Sequence, residues 1–353
     1  MKTIGRVILA AIFLVLTGLM VSLAHYAPDF VFAFYPALSR KMLAAIASVT
    51  GLLPFALWEV LAALIILWAI YTLVRCFSHH GFLRWLSGLA VGLCGALFVF
   101  VALWGLNHYG PGVGEKLGMT VSRYSRQELT AATEYYAAQA NSLAGSVTRD
   151  GNNLSVFSDF DTLSQQAGEG YESLAAQYGC FSVPAGTVKK LASWKLFSYF
   201  GTTGIFVDFT AESCVNPDTY AAWIPFTMCH ELAHRQAVAA EDDANFCAYL
   251  ACMASKRPEF QYSGAFAALI YCNNALAKVD SAAASKIWST LDAGVQADAL
   301  AANAHYAKYE GKVQDAAQKV NDTYLKAFSE ESGVQSYGEV ADLLIAWYLQ
   351  NGT

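Results

Sequence analysis

Three apolar runs in the first third of the chain constrain it most: Ile4 to Ala24, Pro54 to Val74 and Trp85 to Leu106. Each is close to the roughly 20 helical residues that cross a hydrocarbon core about 30 Å thick. Backbone amides in lipid must bond within their own segment, so each run is predicted to be a transmembrane helix, over about 4–24, 54–74 and 85–106. Lys2 and Arg6 precede the first run and Ser22-Leu23-Ala24 resembles a small-residue cleavage site, which leaves a signal peptide as the alternative. The run's length and the two spans behind it favour an uncleaved anchor. Glu59, the only acid inside a span, reads as a carboxylate at the headgroup level. Between the first two spans, residues 34–49 read as an amphipathic helix lying on the membrane surface.

Charge divides the chain at Gly114. Residues 1–114 carry six bases (Lys2, Arg6, Arg40, Lys41, Arg75, Arg84) and two acids (Asp29, Glu59), a net of +4. The whole chain has 22 bases and 28 acids, so residues 115–353 keep 16 and 26, a net of −10. The expectation is a membrane anchor over 1–114 and an acidic soluble domain over 115–353. An acidic domain without a basic stripe repels phosphate backbones, so nucleic acid is not an expected partner; the bilayer is. Lys2, Arg6, Arg75 and Arg84 mark the cytoplasmic side, against Arg40 and Lys41, and three crossings then put the soluble domain outside the cytoplasm.

The soluble part is predicted to be mainly α with a small β element. Ser125-Arg-Gln-Glu128 is a capping box opening an Ala-rich helix to about Ala144. Helices are also expected over 161–178, 188–200, from Pro225 through Ala239, over 240–255, and from Tyr337 to Leu349. Pro258 is expected to stop the helix before it. Thr203 to Thr210 alone has strand character. Six of the eight cysteines fall in this part, without a CxxC pair, and read as small buried thiols rather than zinc ligands or disulfides.

The residues that carry chemistry are His230-Glu231-Leu232-Ala233-His234. Positions i and i+4 share a helix face, so both imidazoles can reach one zinc ion while Glu231 sits beside it as general base. A buried His-Glu-His face without a metal would carry a costly unpaired carboxylate. The third ligand is expected among Glu241, Asp242 and Asp243 at the start of the next helix, with Glu241 favoured because Asn245 lies one turn on along its face. The other acids then complement the helix dipole. Glu212 and Asn216 are candidates to line the cleft or to form the turn before Pro217, and Tyr337 or His305 to stabilise an oxyanion. His79, His80 and His108 read as interfacial residues.

His230 to His234 followed by Glu241-x-x-Ala244-Asn245-Phe246 resembles zincin-type metallopeptidases with HExxH and ExxAD motifs, such as the HtpX-like and CAAX-prenyl membrane endopeptidases. The chain departs from them in having Asn245 for Asp and a short gap between motifs. It is more closely similar to an uncharacterised bacterial family, domain of unknown function 3810. That resemblance rests on the Pro225 to His234 block, Glu241-x-x-Ala-Asn-Phe246, Thr210-x-Glu212-x-x-Val215-Asn216 and Gly333-Val-x-Ser-Tyr337. It implies a zinc-peptidase site but no substrate. In zincins an edge strand before the HExxH helix pairs with an extended peptide, the place that Thr203 to Thr210 would take. The expectation is a multi-pass protein of the bacterial cell membrane that binds one Zn2+ and hydrolyses peptide or protein substrates. The alternatives are an inactive zinc-binding sensor and a structural zinc clamp.

Overall fold

The computed structural model describes residues 3–78, 81–328 and 336–352; Lys2, His79, His80 and the Gly333-Val segment lie outside them. The first half is five helices: α1 (Thr3–Tyr26), α2 (Pro28–Phe32), α3 (Tyr35–Thr50), α4 (Leu57–Ser78) and α5 (Phe82–Leu103). Four stretches are long and apolar enough to cross a membrane: Thr3–Tyr26, Pro28–Thr50, Leu57–Phe77 and Phe82–Leu103. Three match the predicted spans, and their outer faces expose rows of Leu, Ile and Val, the surface a hydrocarbon solvent favours. The stretch around α3 differs, because polar anchors tie it along its length. The Tyr35 hydroxyl donates to Val101 O at 3.0 Å and Ser39 to Leu103 O at 2.7 Å, both near the end of α5. Thr50 donates to Thr210 O at 2.9 Å, and Leu43 and Ala47 pack against Trp104, Ala211 and Ala239. Helix α3 therefore lies between the apolar bundle and the second half of the chain. At the other end of the bundle, Arg6 donates to Arg84 O at 2.7 Å, so α1 and α5 start side by side and run parallel.

The second half is mainly helical. After α6 (Val113–Lys116) comes α7 (Arg126–Ala144), opened by the Ser125–Glu128 capping box. The short pair β1 (Thr148–Arg149) and β2 (Ser155–Val156) follows. Then come α8 (Phe160–Gln166), α9 (Glu169–Ala175), β3 (Lys189–Lys190), α10 (Trp194–Phe200), β4 (Gly204–Val207) and β5 (Glu212–Val215). The remainder is helical: α11 (Ile224–Arg235), α12 (Glu241–Ala254), α13 (Pro258–Val279), α14 (Ser281–Trp288), α15 (Ala293–Tyr306), α16 (Lys312–Ala327) and α17 (Ser336–Asn351). Helix α12 sits at the centre, packed by α9, α11, α13 and α17. Its buried Ala248 and Ala251 let neighbours approach closely: a Cβ on Gly170 of α9 would lie 2.6 Å from the Ala251 carbonyl carbon, so only glycine allows this crossing.

Several expected elements differ. The helix expected over 188–200 is a strand and a short helix, because Lys189 and Lys190 pair in parallel with Cys214 and Val215 of β5. The helix expected over 161–178 is broken between α8 and α9 around Gly168. Helix α11 stops at Arg235 rather than Ala239, with Ala237 at a left-handed φ of 64°. Pro258 does not end a helix; it occupies the first turn of α13. The three-stranded sheet runs β3-β5-β4, with β5 central and fully buried. Sequence patterning misses β5 because Glu212 and Ser213 look like exposed residues.

Glu212 explains the disguise and corrects its expected place in the cleft. Its carboxylate accepts from Lys189 Nζ at 2.6 Å and from the Leu57 and Trp58 amides at the start of α4, at 2.8 and 2.9 Å. Lys189 also donates to Thr50 O and Phe55 O. Burial pushes the Glu212 carboxyl up, but Lys189 and the two amides outweigh it and hold it below its ordinary value. Glu59 is likewise tied to the second half, accepting from the Ala192 and Ser193 amides at 2.9 and 2.8 Å. These two carboxylates clamp the first turn of α4 to the sheet.

Candidate metal centre

Helix α11 carries His230 and His234 on one face, and the first turn of α12 brings Glu241 opposite them. His230 Nε2 lies 3.1 Å from His234 Nε2 and 3.2 Å from Glu241 Oε2, and His234 Nε2 lies 3.8 Å from Glu241 Oε1. Each imidazole is oriented through its other nitrogen: His230 Nδ1 meets Asn245 Oδ1 at 2.9 Å, and His234 Nδ1 meets Val238 O at 2.8 Å. Both acceptors draw the ring proton to Nδ1, which aims both Nε2 lone pairs at the same point as a carboxylate. The early stop of α11 is what allows this, since the left-handed turn at Ala237 swings Val238 O back beneath His234.

Three electron-rich atoms converging in this way repel unless a proton or a metal cation lies between them; burial pushes His230 down, but the Glu241 carboxylate beside it outweighs burial and raises it, so the cluster favours positive charge at this point. A tetrahedral zinc with ligands at 2.0–2.2 Å holds donor atoms about 3.3 Å apart, close to the separations here. The donor set therefore fits zinc, and His230, His234 and Glu241 are the residues that would hold it. Asp242 and Asp243 are not part of the group: Asp243 accepts from Val113 N through both oxygens, tying α12 to α6, and Asp242 lines a separate cavity.

Burial pushes His234 down to about 4, which keeps it neutral and ligand-ready. Glu241 is held down at about 2, its burial outweighed by the two histidines. Glu231 is buried on the next face of α11, and loss of solvent pushes its carboxyl up to about 8. Its Oε2 has no hydrogen-bond partner, and it lines the cleft beside both histidines. Gly204 makes room for it: a Cβ there would lie 2.8 Å from Glu231 Cγ and Cδ, and closer still to Oε1. Ser213 of β5 donates to Glu231 O at 2.7 Å, fixing α11 on the sheet.

The site opens into a cleft of about 860 Å³. Strand β4 forms one wall, α16 another, and the end of α5 with the following turn a third, through Phe100, Trp104 and His108. Trp104 donates its indole N–H to His234 O at 2.9 Å.

A family model described as a protein of unknown function (DUF3810) matches residues 33–345. The chain belongs to this family. The DUF3810 match takes in the apolar helices α4 and α5 together with α11 and α12, which carry the His230, His234 and Glu241 cluster. A search of the curated proteins and of the solved structures finds no match.

Among the other expected site residues, Asn245 orients His230. Asn216 does not reach the cleft; its side chain holds the turn after β5, donating to Ser198 Oγ at 3.0 Å and accepting from Asp218 N at 2.9 Å. His305 lies 3.4 Å from Asp218 and away from the cleft lining. Tyr337 falls on α17, but its side chain is outside the described residues. His108 lines the cleft near Tyr324 and is not in the ligand group. All eight cysteines are free thiols, most of them buried. Two of the tyrosines that line the cleft, Tyr271 and Tyr306, escape sequence reasoning, because nothing separates them from the chain's other seventeen. The Tyr271 hydroxyl donates to Asn245 Oδ1 at 3.3 Å. That of Tyr306 accepts from Tyr220 N at 3.3 Å, and the residue lines the cleft.

Proposed function

We propose that this DUF3810 protein is a membrane-anchored, zinc-dependent endopeptidase. The observation that carries this reading is the convergence of two imidazole lone pairs and a carboxylate beside a second, unpartnered buried carboxylate, at the edge of an open cleft. A structural zinc site has four protein ligands and no solvent access; here three donors face a cavity large enough for a peptide, which favours the enzyme over the clamp.

Held by His230, His234 and Glu241, zinc would polarise the scissile carbonyl and acidify water. Glu231 accepts the proton of the attacking water and delivers it to the leaving amine, its carboxylate form favoured once a cation sits beside it. Asn245 and Val238 O keep the ligand nitrogens aimed. Tyr306 donates to the oxyanion that develops on the carbonyl. Strand β4 is the sheet edge bordering the cleft, so its outer backbone groups are placed to pair with an extended substrate.

In the same reading α1, α4 and α5 cross the membrane while α3 lies at its surface. The bases Arg6 and Arg84 mark the end remote from the metal site, which supports a peptidase domain outside the cytoplasm of a bacterial cell. Cysteine accessibility in intact cells tests that side: labelling of the domain only after membrane permeabilisation contradicts it.

The decisive enzymatic test is Glu231→Gln. It is expected to retain one zinc per chain and to lose peptide hydrolysis by at least 10³-fold. Full activity of the zinc-loaded variant refutes the mechanism, and a zinc-loaded wild type that hydrolyses nothing points to the sensor reading.

A further inference from the structure

The cleft is not walled only by the soluble half of the chain. Phe100, inside α5 and three residues before its end at Leu103, lines it together with Trp104 one turn on. Those four residues rise about 6 Å along the helix. The Trp104 and His234 rings then stand with centroids 5.9 Å apart, and the indole is hydrogen-bonded to the His234 backbone. The path from Phe100 in the last apolar turn of α5 through Trp104 to the His234 ring is thus on the order of 12 Å. Facing this wall, α16 presents Ala317, Gln318 and Tyr324 to the cleft, and Tyr324 and Phe328 close on Phe100 with ring centroids at 6.4 and 5.1 Å. Next to the site the lining is aromatic, from Phe206 of β4 and Phe197 of α10.

A cleft that served only soluble peptides would gain nothing from a wall continuous with a membrane-crossing helix. Taking the endopeptidase reading as its basis, we infer that the substrate is anchored in the same bilayer and is cut within about four residues of the point where it leaves the hydrocarbon. An extended chain advances about 3.3 Å per residue, so four residues cover the path from Phe100 to the His234 ring. The substrate's last apolar residues pass along Phe100 and Trp104, and the stretch above them pairs with β4.

The test uses the full-length protein in phosphatidylcholine vesicles, loaded with zinc. A mixed-sequence decapeptide library bearing a fluorophore and quencher is offered in two forms: free in solution, and joined to a Leu/Ala-rich 20-residue transmembrane segment in the same vesicles. A readout independent of turnover accompanies it, with a photo-crosslinking amino acid at Phe100 in the Glu231→Gln background, and at Val313 on the exposed side of α16 as the control position. The inference expects the anchored library to be cut at least tenfold faster at equal total peptide concentration, within the first four residues beyond the anchor. It also expects crosslinks from position 100 to anchored peptide, not from position 313. Equal cleavage of free and anchored libraries overturns the inference and leaves the peptidase reading standing. Crosslinking to anchored peptide without cleavage of either library keeps the membrane-delivered ligand and refutes the peptidase reading. No crosslink from position 100, or crosslinks to lipid alone, overturns the inference.

Discussion

Gly204→Ala isolates the position of the general base from the metal and the fold. A methyl group at this site would meet Glu231 Cγ and Cδ at 2.8 Å and Oε1 closer still, against an ordinary contact of about 3.4 Å. The strand backbone is held by pairing with Val215 of β5, so the Glu231 side chain must retreat, its carboxylate oxygen by about 1 Å. A misplacement of that size in a reacting group costs on the order of 10²-fold in rate, or about 2.7 kcal/mol of barrier. Alanine lowers the entropy of the unfolded chain, but crowding the buried Glu231 side chain outweighs that gain, so stability is expected to fall by about 1–3 kcal/mol with the fold retained. The three atoms nearest to a Cβ at position 204 all belong to Glu231, so zinc affinity is expected to be unchanged. The assay is kcat and KM on a fluorogenic peptide in detergent, alongside chelator competition for zinc and thermal unfolding. A loss confined to kcat is the expected result. Wild-type kcat in the alanine variant would refute the placement of Glu231 as base, and loss of zinc would show that the glycine serves the metal shell instead.

Further predictions follow from the same geometry. Tyr306→Phe removes the hydroxyl of a residue lining the cleft and is expected to lower kcat about 10²-fold with little change in KM or zinc content, measured by the same assay. Glu212→Gln breaks the buried pair with Lys189 and loosens the start of α4, costing about 3–5 kcal/mol in the unfolding of the detergent-solubilised protein near neutral pH. The Glu212 carboxyl is held below its ordinary value, so its stabilisation is complete above about pH 4.3, the unfolded-chain value, and is lost as pH falls through the lower folded value. The stability gap between wild type and Glu212→Gln should therefore close on acidification below about pH 4; a gap independent of pH would show that Glu212 acts without its charge.

The sequence made the apolar helices and the cluster of His230, His234 and Glu241 plain because each leaves a local periodic mark. A 20-residue apolar run means lipid, and histidines four apart on a helix mean a shared face. The capping box at Ser125 and Glu128 and the amide of Asn245 are legible for the same reason, since their partners lie within a turn or two or on a neighbouring helix of known phase. Glu212 was opaque because its partners, Lys189, Leu57 and Trp58, are distant in sequence, and a carboxylate buried by tertiary pairing looks the same as an exposed one. Lys189 and Lys190 failed for the complementary reason: two lysines do not resemble a strand until β5 arrives to pair with them. Trp104 could be seen ending an apolar run, but its bond to the His234 carbonyl, 130 residues later, could not.

The central claim is that His230, His234 and Glu241 hold one catalytic zinc ion, and zinc K-edge X-ray absorption on the purified full-length protein tests it most directly. The account predicts one zinc per chain, with two imidazole nitrogens and oxygen ligands, one of them exchangeable solvent, all near 2.0–2.2 Å. Sulfur scattering near 2.3 Å, four protein ligands with no solvent, or a purified protein that binds no zinc would contradict it.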